Sequence, residues 1–109
     1  MATTTAHTPQ VINPYPNKKL RVVSVEGEAY NLDKLDIYTA DTISSSMGSP
    51  KATKNNIGGK NGYFKWNLNL SFSFKAKAQI IATSTEGTVV SLRWCKLNVI
   101  PEDILEETI

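Results

Sequence analysis

Catalysis needs titratable groups brought together, and this chain offers few. Its single histidine, His7, lies in a Thr- and Pro-rich stretch with no acid beside it, which suits an exposed tail histidine better than a general base. Cys95 is the sole cysteine, so one chain can form no internal disulfide and cannot assemble a thiolate zinc site. Its strand-like surroundings assign it the role of a small buried hydrophobe. Gly59-Lys60 has the residue types that end a phosphate-binding loop, but position 61 is asparagine and Lys54 stands where the first glycine belongs. Asp33 and Asp36 lack the spacing of a calcium loop. No nucleophile elbow or His-Glu-x-x-His motif is present. The expectation is a protein that is not an enzyme, with no catalytic residue, metal or cofactor.

Binding chemistry has more to work with. The formal net charge is only +2, but the charges are segregated. Between positions 42 and 85 there are six lysines (Lys51, Lys54, Lys60, Lys65, Lys75 and Lys77) and no acid, whereas the C-terminus carries Glu102, Asp103, Glu106 and Glu107. Such a pattern fits a solvated surface, an anionic partner such as nucleic acid for the basic middle, or head-to-tail attraction between copies. Tyr63-Phe64-Lys65-Trp66 and Arg93-Trp94 supply residue types that bind single strands. In a strand, however, Phe64 and Trp66 point to one face while Lys65, Lys75 and Lys77 point to the other. Stacking rings and phosphate contacts should share a surface, so any nucleic acid would be held through phosphates alone.

The elements that position these groups follow from pattern. At 109 residues, 40% hydrophobic and 20% charged, the chain has the dimensions of a single globular domain. Its apolar runs are far shorter than the roughly 20 residues of a membrane helix, so no membrane partner is expected. Residues 1–17 carry Pro9, Pro14 and Pro16 and read as an extended arm anchored by Val11, Ile12 and Tyr15. Residues 18–109 read as one β domain. Strands are predicted at 19–25, 29–32 and 35–40, with a bend or bulge at Glu26-Gly27-Glu28. Residues 44–62, rich in Ser, Gly, Asn and Lys, read as a long flexible basic loop.

The strongest signal follows. Phe64, Trp66, Leu68, Leu70, Phe72, Phe74, Ala76, Ala78 and Ile80 occupy even positions, and polar residues fill the odd ones. This period-two alternation predicts a strand with one dry face. A turn at 84–88 and a second strand over 89–99 predict an antiparallel hairpin, with a bulge near Cys95-Lys96 where the apolar phase changes. Pro101 followed by Glu102 and Asp103 predicts a short C-terminal helix. The fold class is therefore all-β: a small antiparallel sandwich or barrel-like sheet with a long C-terminal hairpin.

Length adds an argument about assembly. An alternating run of about 17 residues would reach about 56 Å if straight, against a diameter of roughly 34 Å for a compact domain of this size. The run must turn a corner between two sheets, or project and pair with another subunit. No glycine or proline stands between positions 64 and 81 to ease a bend. A short chain, a Thr-rich arm, long hairpins and few catalytic groups together resemble, in kind, the structural subunits of virions and phages. The leading expectation is a structural protein that self-assembles as a homo-oligomer, or with other structural subunits, through its arm and hairpin. The alternatives are a nucleic-acid-binding domain using the lysine-rich face, and a carbohydrate- or protein-binding β-sandwich using loop 44–62. The polar N-terminus lacks a basic and apolar leader pattern, so a virion or cytoplasmic location is expected.

Overall fold

The computed structural model describes residues 10–42, 48–90 and 92–103. Six strands make one antiparallel sheet: β1 (Gln10–Ile12), β2 (Lys18–Ala40), β3 (Ala52–Lys54), β4 (Lys60–Phe74), β5 (Lys77–Ser84) and β6 (Leu92–Asp103). No helix occurs among the described residues. β2 is the hub. Its first half pairs with β4 on one side and β6 on the other, and its second half pairs with β3 and β5. β1 lies outside β5.

The three strands expected between 19 and 40 are one continuous element, and it folds over. Leu20 pairs with Phe74, and Ala40 pairs with Lys77. The step from Phe74 to Lys77 covers at most about 11 Å, whereas a straight run from Leu20 to Ala40 would take about 66 Å. The two ends of β2 are therefore held near each other, and the sheet closes into two layers without becoming a barrel. The fold-over lies at Tyr30-Asn31, where Asn31 takes φ 59°, a region that asparagine tolerates better than most residues. Three contacts fix it: Asn61 Oδ1 accepts from Asn31 N at 2.9 Å, Asn31 Nδ2 donates to Glu86 at 2.9 Å, and Thr85 donates to Asn31 Oδ1 at 3.2 Å.

Both halves of β2 contribute to one core. Leu20, Val22 and Val25 meet Leu32, Leu35 and Ile37, with Phe64, Phe74, Ile80 and Leu97 between them. Of the even-numbered apolar run, Phe64, Phe74, Ala76, Ala78 and Ile80 are buried as its alternation requires. Trp66, Leu68 and Phe72 are only partly buried at its margin. Between Val22↔Phe72 and Ser24↔Asn67, β4 carries a bulge of residues 68–71 against the single Val23. Passing Val23, the inward positions of β2 switch from even to odd, which is why its apolar residues fall on both faces in the sequence.

Several expectations are corrected. The long alternating run does not project; it breaks at Lys75-Ala76 and turns from one layer to the other. No glycine is needed there because the corner is well hydrogen-bonded. Ala76 N donates to Ala40 O, Lys75 N to Asp41 Oδ1, and Asn13 Nδ2 reaches both Lys75 O and Lys18 O. The hairpin stops short: the turn closes with Ser84 N donating to Thr88 O, the Thr83↔Val89 bridge and Val90 N donating to Ala82 O, after which β6 leaves the preceding strand and runs along β2. The bulge in β6 falls at Arg93, not at Cys95-Lys96, and turns Trp94 to the outer face. Pro101, Glu102 and Asp103 continue β6 where a helix was expected to begin, and residues 104–109 lie outside the described residues.

The 44–62 segment is partly structured. It contains β3 and the start of β4, and Lys51 N, Ile57 N and Gly58 N donate to Ile37 O, Asp33 O and Asp33 Oδ1. Residues 43–47 lie outside the described residues. Cys95 is buried, and desolvation pushes its thiol up to about 12, so the reactive thiolate is absent near neutral pH.

Candidate functional site

The layer built from β4, the first half of β2 and β6 turns a polar face outward. Its register sets three rows of three residues. Tyr63 and Trp94 flank Glu28, Lys65 and Lys96 flank Glu26, and Asn67 and Asn98 flank Ser24. β4 and β6 both run antiparallel to β2, so they are parallel to each other and present their side chains in the same order. The origin is legible in the chain: Tyr63-Phe64-Lys65-Trp66-Asn67 and Trp94-Cys95-Lys96-Leu97-Asn98 are two copies of aromatic-x-Lys-x-Asn. In each copy the intervening residues point inward, as strand alternation requires.

These side chains are tied to one another. Tyr63 Oη donates to Glu26 Oε2 at 2.5 Å, and Asn98 Nδ2 donates to Ser24 Oγ at 2.8 Å and Glu26 Oε1 at 3.4 Å. These hydrogen bonds, helped by Lys65 and Lys96, hold the Glu26 carboxyl below the usual carboxylate range. The same bond raises the Tyr63 phenol above its ordinary value. The signs give separate windows. Glu26 contributes stability above the ordinary carboxylate range and loses it as pH falls through its lowered value. Tyr63 contributes below the ordinary phenol range and loses it as pH rises through its raised value. Replacing Tyr63 by Phe should therefore move the Glu26 titration upward. Side-chain carboxyl NMR would show this, and an unmoved Glu26 in the variant would contradict the bond.

At the fold-over end the face deepens into a concavity of about 650 Å³ lined by Glu28, Ala29, Tyr30, Gly62 and Arg93. Tyr30 is 77% exposed. Arg93 Nε meets Glu28 Oε1 at 3.3 Å. Tyr63 and Trp94 reach over Glu28 to bring their ring centroids to 6.2 Å with a 39° tilt, within the range of favourable aromatic pairs.

The six lysines singled out in the sequence are not gathered into one stripe. Lys51 and Lys54 lie at and beside β3, Lys60 starts β4, Lys75 sits at the corner beyond its far end, and Lys77 begins β5. Lys65 alone joins the outer face described above, beside Lys96, which the sequence reading passed over. Phe64 and Trp66 do point away from Lys65, but Tyr63 and Trp94 share its face. The repeated pentapeptide was the signal available for them, and it gains meaning only once both copies are known to flank one strand.

The arm residues divide. Val11 is buried against the protein's own core through the β1–β5 pairing, while Ile12 and Tyr15 are half exposed. With Pro14, Val99 and Pro101 they border a groove of about 240 Å³. Ile100, 44% exposed, lies on the other side of the same strand margin. Among the described residues nothing pairs with the outer margin of β6. The C-terminal acids Glu102 and Asp103 meet Arg21 and Lys18 of the same chain at 2.9 and 2.7 Å. These surface pairs satisfy part of the charge segregation internally. Glu106 and Glu107 lie outside the described residues.

No protein-family model, curated protein or solved structure matches this chain.

Proposed function

We propose that this chain is a non-enzymatic structural subunit, of the kind that builds virus and phage particles, and that it associates with further copies along the margin of β6 and the arm. One observation carries the reading: an open strand margin with apolar side chains on both of its sides. Val99 and Pro101 face the groove beside Ile12 and Tyr15, and Ile100 lies on the opposite side. An unpaired strand offers a row of backbone donors and acceptors to another chain, and apolar neighbours on either side give such pairing a dry flank. Edge strands that must stay single are commonly blunted by charge, proline or bulges. The extra residue of β6 is Arg93, at the far end from this patch, while the irregularity opposite Asn98 and Val99 belongs to β2 at Val23. Pro101 removes one donor from the margin and leaves its carbonyl available.

The projecting hairpin is no longer part of the mechanism, and charge attraction between copies is at most a secondary contribution. Burying a half-exposed Ile or Tyr at a contact contributes roughly 1–2 kcal/mol. Ile100→Asp and Tyr15→Asp should therefore each weaken self-association about tenfold or more with little change in the unfolding midpoint, as read by sedimentation velocity. Association unchanged in both variants would overturn this placement of the contact.

A further inference from the structure

We propose that the outer face of the β4–β2–β6 layer is a binding platform for a neutral saccharide, seated on the Tyr63–Trp94 pair. This goes beyond the assembly reading and does not depend on it. Sugar rings present C–H faces, which pack on aromatic rings, and a rim of hydroxyls, which both donate and accept hydrogen bonds. The platform supplies both kinds of contact. Tyr63 and Trp94 form the apolar end. Beyond them, ammonium and amide donors of Lys65, Lys96 and Asn67 alternate with the carboxylates of the central strand.

Charge selects the occupant. Down the middle of the platform, Glu28 and Glu26 each lie between two residues of the flanking strands. A phosphate backbone laid along the face would meet those carboxylates, and a cationic peptide would meet Lys65, Lys96 and Arg93. A hydroxyl-rich ligand without net charge is opposed by neither. From the aromatic row to the asparagine row is about 13 Å along the strands, room for more than one sugar ring. The concavity beside Tyr30 and Arg93 extends the platform beyond the aromatic row. The contacts of Glu26 with Tyr63 and Asn98 already hold these three side chains, so little further ordering of them opposes binding.

The test titrates the full chain with hexasaccharides of β-glucan, chitin and α-glucan type, and with an oligo-dT strand. Tryptophan fluorescence and calorimetry are the readouts. At least one hexasaccharide should bind, with an affinity that hardly changes with salt. Trp94→Ala should weaken it about tenfold or more. Because Trp94 is half-buried, Lys65→Glu/Lys96→Glu serves as a second variant that leaves the aromatic seat in place. That double reversal removes two donors and keeps the aromatic seat, so it should weaken saccharide binding less than Trp94→Ala does. Binding of oligo-dT that falls steeply with salt and is abolished by the double reversal, or failure of every hexasaccharide to bind, would overturn the proposal.

Discussion

Gly27→Ala should destabilise the domain by about 3 kcal/mol, at the upper end of what overpacking a core position costs. Gly27 faces inward between Phe64 and Cys95 on the two flanking strands. A Cβ placed there would stand 2.3 Å from the Trp94 carbonyl oxygen, 3.1 Å from the Phe64 ring and 3.2 Å from Cys95 Cα. Two of these neighbours are backbone, so the clash cannot be relieved by a side-chain rotation. The companion variant Gly27→Ala/Phe64→Leu should accordingly remain destabilised, because trimming the ring leaves the carbonyl in place. Denaturant midpoints of the single and double variants decide the matter. A wild-type midpoint for Gly27→Ala would mean that β6 does not lie against β2 at this register.

Phe74→Ala is expected to cost about 3–5 kcal/mol, a large share of the roughly 5–15 kcal/mol that holds a domain of this kind together. Phe74 is 1% exposed, ends β4 and pairs with Leu20 just before the chain turns into the second layer. The ring thus fills the core at the corner where the two ends of β2 are brought together. Phe72, two residues earlier on the same face, is only partly buried beside the bulge, and Phe72→Ala should cost distinctly less. The contrast is the informative part. By alternation alone the two phenylalanines are equivalent, and equal losses of unfolding free energy would contradict the placement of the bulge and corner.

That equivalence shows where sequence reasoning stops. The period of two at 64–80 states which side chains are dry, and Phe64, Phe74, Ala78 and Ile80 are so placed. It does not state which strand pairs with which. Local pattern favoured β5 and β6 as neighbours because a turn joins them, yet both find their partner in β2, whose length lets it serve two layers. The corner at Lys75-Ala76 lacked its usual glycine or proline because its support comes from distant groups: Asn13, Ala40 and Asp41. β2 read as three strands because Glu26-Gly27-Glu28 and Asp33-Lys34 look like breaks by residue type, whereas both stretches stay within the pairing of one strand. Its real irregularities, the bulge at Val23 and the left-handed Asn31, fall inside the expected strands.

The outer face was partly legible. Arg93 and Trp94 drew attention by type, but the phase change was located at Cys95-Lys96, and this left Trp94 on the even, inward side. Moving the bulge to Arg93 brings Trp94 outward beside Tyr63. The lysine-rich middle was visible as composition but not as a surface, because the fold-over sends Lys51 and Lys54 to one layer and Lys65 to the other. For the arm, Val11 anchors it to its own domain, and Ile12 and Tyr15 remain available to a neighbour.

The central claim is that the exposed apolar margin around Ile12, Tyr15 and Ile100 joins one copy to another. Solution molar mass by light scattering across a wide concentration range, at near-physiological salt, tests it most directly. The account predicts a mass that rises above that of the monomer with concentration for the wild-type chain, and a rise displaced to about tenfold or more higher concentration for Ile100→Asp. A wild-type chain that remains monomeric at every concentration would contradict it.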